Sequence, residues 1–316
     1  MDLEIKKITI VSRKSNLALR QADIVKQQLL QLYPTLSIEV LGITTQGDQI
    51  LDQPLNKIGG KGLFVSELEE HLLQGKAHIA VHSMKDMPAR LPAELGLGAI
   101  LKRADPRDVL ISKDYTNIHD LPRGSILGTS SLRRQAQALA LNHDLTIKPL
   151  RGNVETRIQQ MLDGNYTAII LAYAGLERLG LTEWLQHPLD TTHMLPAVGQ
   201  GALGIEYKLD NTAVKKLIAP LNDELSAACV HAERAMNAVL DGGCQAPIAG
   251  LATIKDGQLL LRGLVAEPDG FALFTDMQIG EIHTAHEIGK QVGQQLIAEG
   301  AQEILEKCKH QWQGND

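Results

Sequence analysis

Short β-branched runs in the first 180 residues repeatedly break into polar, often basic junctions and then into segments of helical period. Ile8–Val11 leads through Ser12-Arg13-Lys14-Ser15 into a predicted helix carrying Ala18, Ala22, Val25, Leu29 and Leu32, stopped at Tyr33-Pro34. Ser37–Ile43 is a second strand and runs into Thr44-Thr45-Gln46-Gly47-Asp48. Past a loop through Lys57, Gly59-Gly60-Lys61-Gly62 opens a helix with Phe64, Leu68 and Leu72, which feeds the strand Ile79–Val81. That strand breaks into His82-Ser83-Met84-Lys85-Asp86-Met87 before Pro88 prevents any regular continuation. Alternation of this kind is satisfied by parallel or mixed sheets covered by helices on both faces, an α/β fold. Ligands of such sheets sit beyond the carboxyl ends of strands, where Lys85 and Asp86 are delivered.

The pattern restarts near residue 100. Asp108–Ser112 is strand-like, and Leu121-Pro122-Arg123-Gly124 is a turn. Ser125–Gly128 leads through Thr129-Ser130-Ser131 into a helix with Leu132, Ala136, Leu139 and Ala140. Thr146–Leu150 ends at Arg151-Gly152-Asn153, and a helix with Val154, Ile158, Met161 and Leu162 carries Arg157. Asp163-Gly164-Asn165 turns the chain into the strand Ala168–Ala172, with Arg178 shortly after, and Pro196–Ala202 reads as a crossover. After Pro220 the character changes. Asn222-Asp223 caps a long helix with Cys229, Ala232, Met236 and Val239 on one face, ending at Asp241-Gly242-Gly243. Strand-like runs at 249–254, 258–266 and 271–277 and a helical region from about 284 make a small α+β unit.

Composition excludes several classes. Aromatic residues are 3% of the chain, too few for a base-stacking platform, and a net charge of −6 argues against a general nucleic-acid binder. Any basic site is therefore local. The opening Met1-Asp2-Leu3-Glu4 lacks the basic start of a signal peptide, and no apolar run approaches the roughly 18–20 residues that span a bilayer. Cys229, Cys244 and Cys308 are widely spaced without CxxC, and the histidines show no HExxH, so a reduced cytoplasmic protein without a metal is expected. The glycine loop at 59–62 lacks GxxxxGK[ST] and is not a P-loop.

Arg13, Arg133, Arg134, Arg151 and Arg157 fall at strand-to-helix junctions, with Lys57, Lys61 and Lys85 at loop positions. Singly, each is an ordinary surface charge. Together, in an acidic protein, they suggest one cationic cleft for a ligand with several carboxylates or phosphates, which arginine grips through paired hydrogen bonds. Arg133 and Arg134 oppose the dipole of the helix they open and so call for an anionic partner. Asp86 is expected as a buried carboxylate held ionised among these cations, able to stabilise a developing cation or exchange protons with an amine. Cys244, between a glycine turn and Pro247, suits a side chain presented to a cleft, although an inert buried thiol fits too; Cys229 and Cys308 read as packing.

Seven stretches in order carry a family resemblance: Ser12–Ala18, Gly59–Phe64, Ala80–Asp86, Gly128–Arg134, Arg151–Arg157, Pro196–Gly201 and Gly242–Gln245. Through them the chain resembles the porphobilinogen deaminases, or hydroxymethylbilane synthases, over essentially its whole length. The resemblance implies three domains, the first two like a periplasmic binding protein with mixed, mostly parallel sheets. On this chain they fall at 1–101 with 202–219, at 102–201, and at 220–316. It implies a dipyrromethane cofactor on Cys244 through a thioether, priming head-to-tail addition of four porphobilinogen units with loss of ammonia before water releases the product. Asp86 is then the catalytic carboxylate, touching pyrrole N–H groups, assisting proton transfer to the departing amine and stabilising an azafulvene-like cation. Arg13, Ser15, Ser83, Lys85, Thr129, Ser130 and Ser131 would hold acetate and propionate groups. So would Arg133, Arg134, Arg151, Gly152, Asn153 and Arg157, with Arg178 and Gln200 beside them. Lys57, Lys61 and Phe64 belong to a loop covering the cleft. Ser66 and Asp241 stand where relatives often have a basic residue and Glu. A monomer without nucleic-acid or membrane partners is implied. A two-domain receptor for a polycarboxylate would use the same frame, but the missing signal peptide and the third unit with Cys244 count against it.

Overall fold

The computed structural model describes residues 5–45, 47, 65–242 and 246–313, with side chains described through 308. Strand β1 (Lys7–Arg13) is followed by helix α1 (Asn16–Leu32), β2 (Ser37–Ile43), α2 (Ser66–Leu73) and β3 (Ile79–Ser83). A single 3-10 turn, Met84–Asp86, separates β3 from β4 (Leu95–Ile100). Next come β5 (Asp108–Ser112), β6 (Ile126–Gly128), α3 (Leu132–Leu141), β7 (Thr146–Lys148), α4 (Val154–Leu162), β8 (Ala168–Ala172) and α5 (Tyr173–Arg178). The chain returns through β9 (Leu203–Lys208) and α6 (Thr212–Ile218) to the long helix α7 (Glu224–Val239). Strands β10 (Ile248–Lys255), β11 (Gln258–Ala266) and β12 (Leu273–Glu281), then helices α8 (Ala285–Leu296) and α9 (Gln302–Gln313), close it.

Among the described residues these strands form three sheets, ordered β2-β1-β3-β9-β4, β5-β8-β6-β7 and β10-β11-β12. In the first sheet β1 is parallel to β2 and β3, and β9 runs antiparallel between β3 and β4. In the second, β6 is parallel to β7 and β8, and β5 pairs antiparallel with β8. The third is antiparallel throughout and rests on α7 and α8 through Met236, Leu259, Leu261, Val292 and their neighbours. The α/β frame with a smaller α+β unit is thus the one the sequence pattern predicts.

Strands β4 and β9 and helix α6 were not legible in the pattern. In β4 the sequence LGLGAI carries two glycines, which lower strand propensity. One is required by packing: a Cβ on Gly98 would sit 2.5 Å from Ile218 and 2.9 Å from Tyr207. In β9 the alternation is hidden because both faces are covered, so Glu206 is as buried as its apolar neighbours.

The chain crosses between the first two sheets twice, near 101–107 and 196–202. The crossings are joined to each other, the Ala104 N–H donating to the Gly201 carbonyl at 3.2 Å. Gly201 has φ of +87°, and a Cβ there would lie 2.6 Å from the Ala104 oxygen, so glycine is obligatory. Glu233 of α7, fully buried, ties both crossings to the third sheet. It accepts from the Arg103 guanidinium, from the Gly199 N–H at 2.6 Å and from the Ala252 N–H at 2.8 Å.

Candidate active site

Because β1 and β3 are parallel neighbours, Arg13 and the Lys85–Asp86 turn leave the first sheet at the same end. Lys85 and Asp86, both half-buried, form one wall of a cavity of about 410 Å³. Other walls come from Ser66 and Glu69 on α2, Ser131 and Arg133 at the start of α3, and Arg234 on α7. Asp241, Gly242 and Ala246 also line it, so the cavity reaches both flanks of residues 243–245. Cys244, and the loop residues Lys57, Lys61 and Phe64, lie outside the described residues.

The anionic partner that the α3 arginines call for is the protein's own Asp108. Asp108 is fully buried at the start of β5 and accepts from Arg133 Nη1 at 2.8 Å and from Arg134 Nη2 at 2.7 Å. Gln200 Nε2 adds a third donor at 3.0 Å, and the guanidiniums also reach the Leu195 and Ile170 carbonyls at 2.8 Å. Burial alone would raise the Asp108 carboxyl, but the charges and hydrogen bonds of Arg133 and Arg134 hold it well below the usual carboxylate range. The expectation of a buried carboxylate among arginines therefore belongs to Asp108; Asp86 is only half-buried. In the sequence Asp108 stands at the first position of a predicted strand, where an aspartate reads as a boundary.

Around this node positive charge is crowded. Burial pushes Lys85 down to about 8, Arg134 and Arg133 acting in the same direction and Asp86 and Asp108 against it. Burial, Arg134 and Arg151 bring Arg157 down to about 10, with Asp86 opposing. Burial also lowers Arg151. Lys85, Asp86, Arg133, Arg134, Arg151 and Arg157 thus share one electrostatic neighbourhood. Arg178, lowered to about 10 by burial, donates from its Nη2 to the Gly201 carbonyl at 2.6 Å in the second crossing.

Several polar residues predicted to bind ligand also hold local structure. Ser15, Ser131 and Asn153 are the N-caps of α1, α3 and α4, accepting from the N–H groups of Ala18, Arg134 and Thr156. Ser130 exchanges two hydrogen bonds with the Leu150 backbone, and Thr129 Oγ1 accepts from the Ser131 N–H. Ser83 accepts from Gln21, and the carbonyl of Gly152 accepts from Arg157 Nε at 2.8 Å. An accepting hydroxyl keeps its own proton to donate, so a capping serine can still serve an anion. Gln200 Oε1, buried, has no hydrogen-bond partner among the described residues. Asn16 Nδ2 donates to Glu155 Oε1 at 3.0 Å, linking the helices of the first two sheets across their facing edges. No His, Cys, Asp and Glu grouping able to hold a metal occurs among the described residues. No described helix is long and apolar enough to cross a membrane.

Comparison with known proteins adds to this geometry. Residues 8–216 match a family model described as porphobilinogen deaminase, dipyrromethane cofactor binding domain. Residues 227–298 match the porphobilinogen deaminase C-terminal domain. The chain is 51% identical over 299 residues to the porphobilinogen deaminase of Chromobacterium violaceum, covering 95% of this chain and 97% of that one. It is 50% identical to that of Thiobacillus denitrificans, covering 95% and 98%. Among solved structures, the periplasmic aliphatic sulphonate binding protein of Escherichia coli is similar at 15% identity and a TM-score of 0.40, over 74% of this chain and 70% of that one.

Proposed function

The chain belongs to the porphobilinogen deaminase family, and on that premise we propose that Asp86 is its catalytic carboxylate, Cys244 its cofactor attachment point and the arginine-rich wall its carboxylate-binding surface. The protein is a transferase of tetrapyrrole biosynthesis that condenses porphobilinogen head to tail, with release of ammonia, into hydroxymethylbilane. The observation that carries the assignment is the cavity in which Lys85, Asp86, Ser131 and Arg133 meet the flanks of residues 243–245.

The family's cofactor is a dipyrromethane. A group of two pyrroles brings several carboxylates and two N–H donors, and the donor set here suits it. Lys85 and Arg133 line the cavity, while Arg134, Arg151 and Arg157 stand in the same field and Asp86 offers acceptor oxygens. When bound through Cys244, that group supplies the pyrrole carbon to which the first substrate is joined.

The chain's own residues do the rest. Arginine pairs and the Ser131 hydroxyl orient carboxylates, which by itself lowers the Michaelis constant rather than raising the rate. Acceleration needs a group that responds to charge developing in the transition state. Asp86 meets that need: its carboxylate stabilises positive charge at the methylene carbon as ammonia leaves, and it accepts a proton at its oxygen. Lys85, with a pKa near 8, is drawn fully into its charged form when a carboxylate binds beside it.

The three sheets support domains at 1–101 with 202–219, at 102–201 and at 220–316. We read the protein as a cytoplasmic monomer without nucleic-acid or membrane partners; light scattering on the purified protein tests its oligomeric state. The decisive experiment is the intact mass of the denatured protein beside a Cys244→Ser variant. A surplus of two linked pyrroles, absent from the variant, is expected; the same surplus in both would remove Cys244 from its role.

A further inference from the structure

One face of helix α7 touches both halves of the site. Ala227, Val230, Arg234 and Asn237 recur at three- and four-residue intervals and so share one side of the helix. Ala227 and Val230 are packed in one apolar cluster with Met84 and Met87, the buried residues that flank Lys85 and Asp86. One turn further along, Arg234 Nη2 donates to the Pro88 carbonyl at 2.8 Å and to the Ala89 carbonyl at 3.2 Å. Asn237 Nδ2 donates to the Gly242 carbonyl at 3.1 Å, and the Gly242 N–H donates back to the Asn237 carbonyl at 3.0 Å.

The carbonyls that Arg234 engages belong to a stretch with little to hold it. Residues 87–94 lie between the 3-10 turn of Asp86 and β4 and form no regular element. Pro88 has no N–H, and carbonyls outside a helix or sheet depend on donors from elsewhere in the fold. Arg234 is such a donor, and being charged it makes the stronger kind of hydrogen bond. Burial lowers its guanidinium, while Glu206 of β9, 0% exposed, opposes that as a counter-charge. Arg234 and Asn237 line the same cavity as Lys85, Asp86 and Gly242.

We propose that Arg234 is a positioning residue for Asp86, pinning the backbone at 88–89 to α7 and so setting the catalytic carboxylate against the end of α7 that leads to Cys244. The proposal rests on the functional reading above. Asp86 has to stand beside the carbon that loses ammonia, and that carbon has to meet a chain tethered two residues beyond Gly242. Small misplacements between such groups cost large factors in rate. A single helix that grips the backbone on both sides, through Arg234 and through Asn237, removes slack between them. Arg234 acts through the backbone that follows Asp86 and needs no contact with substrate.

The test is turnover of porphobilinogen by the holoenzyme for Arg234→Met and Arg234→Lys, each also in an Asp86→Asn background, with amide hydrogen exchange of the 84–91 segment followed in parallel. Arg234→Met keeps an apolar stem and removes both donated bonds. It is expected to lower kcat by about 10- to 100-fold with KM within about 2-fold, and to speed exchange in 84–91. Because a single nitrogen donates to both carbonyls, a lysine ammonium can replace it, and Arg234→Lys should recover most of kcat. With Asp86 already replaced, Arg234→Met should cost less than about 2-fold more, since the two residues act as one unit. Should Arg234→Met fail to fold, Arg234→Gln, which loses the guanidinium but stays polar, takes its place in the same cycle. A raised KM at unchanged kcat would make Arg234 a substrate contact and overturn the positioning role. Fully additive effects of the two substitutions, or wild-type exchange in 84–91, would overturn it as well. A wild type that consumes no porphobilinogen, or an Asp86→Asn enzyme that consumes it normally, overturns the functional reading itself, whereas the preceding failures strike Arg234 alone.

Discussion

Asp86 and Asp108 are the same residue type in the same field of arginines, yet their surroundings differ, and with them the tasks we propose for each. Asp108 is fully buried, with Arg133, Arg134 and Gln200 donating to it, and its charge is spent on fixing those side chains. Asp86 is half-buried on a 3-10 turn at a cavity wall, where a ligand can reach it. A carboxylate already saturated by donors is a structural counter-ion, whereas one facing a cavity retains lone pairs for chemistry. Of the two guanidiniums that Asp108 orders, that of Arg133 lines the cavity, so on the reading proposed above the structural aspartate prepares part of the surface on which Asp86 would work.

The sharpest way to break this contrast is Asp86→Asn, which keeps size but removes charge and proton acceptance. Turnover is expected to fall by at least about 100-fold while the melting temperature stays near wild type. Near-normal porphobilinogen consumption would end the distinction. Asp108→Asn should do the reverse first: it leaves two buried guanidiniums undercompensated and should destabilise the fold by about 3–5 kcal/mol in denaturant titration at neutral pH. The Asp108 carboxyl is depressed in the folded protein, so its contribution is present above the ordinary carboxylate range and is lost as pH falls through the folded value. The gap between wild type and Asp108→Asn should therefore close in strong acid; a gap independent of pH would mean that lost packing is responsible.

Lys85 sharpens the same comparison from the cationic side. With its folded pKa at about 8, below the usual lysine value, its penalty is full below pH 8 and fades as pH rises toward the ordinary value. Lys85→Met should therefore gain stability over wild type below pH 8 and lose that advantage in alkali. A bound polycarboxylate should reverse the depression, so binding near pH 8 takes up a proton, seen as a buffer-dependent heat by calorimetry and missing in the variant. The smallest effect is expected at Asn16→Ala, which removes the exposed hydrogen bond to Glu155. A change within about 0.5 kcal/mol is anticipated, and a large one would mark the facing edges as energetically coupled.

Much of the molecule was legible because its signals are local. The Asp223 cap, the strand Asp108–Ser112 and the long helix α7 follow from short-range hydrogen bonding and periodicity. Strand β9 was not, because a central strand covered on both faces loses its alternation, and Glu206 inside it reads as polar until His82 is seen beside it. The cationic cluster could be suspected from residues placed at junctions. That Arg178 donates one N–H to the Gly201 carbonyl, and that Asp108 pairs with both α3 arginines, could not be.

By itself the sequence determined the alternating strand–helix frame, the family, and the placement of Lys85 and Asp86 at a strand end, since each depends on patterns a few residues long. Only the tertiary structure decided which charges cancel and which remain. Coulomb and desolvation energies depend on distances between residues such as Asp108 and Arg134, or Glu69 and Glu206, that are remote along the chain and meet only when the sheets are packed.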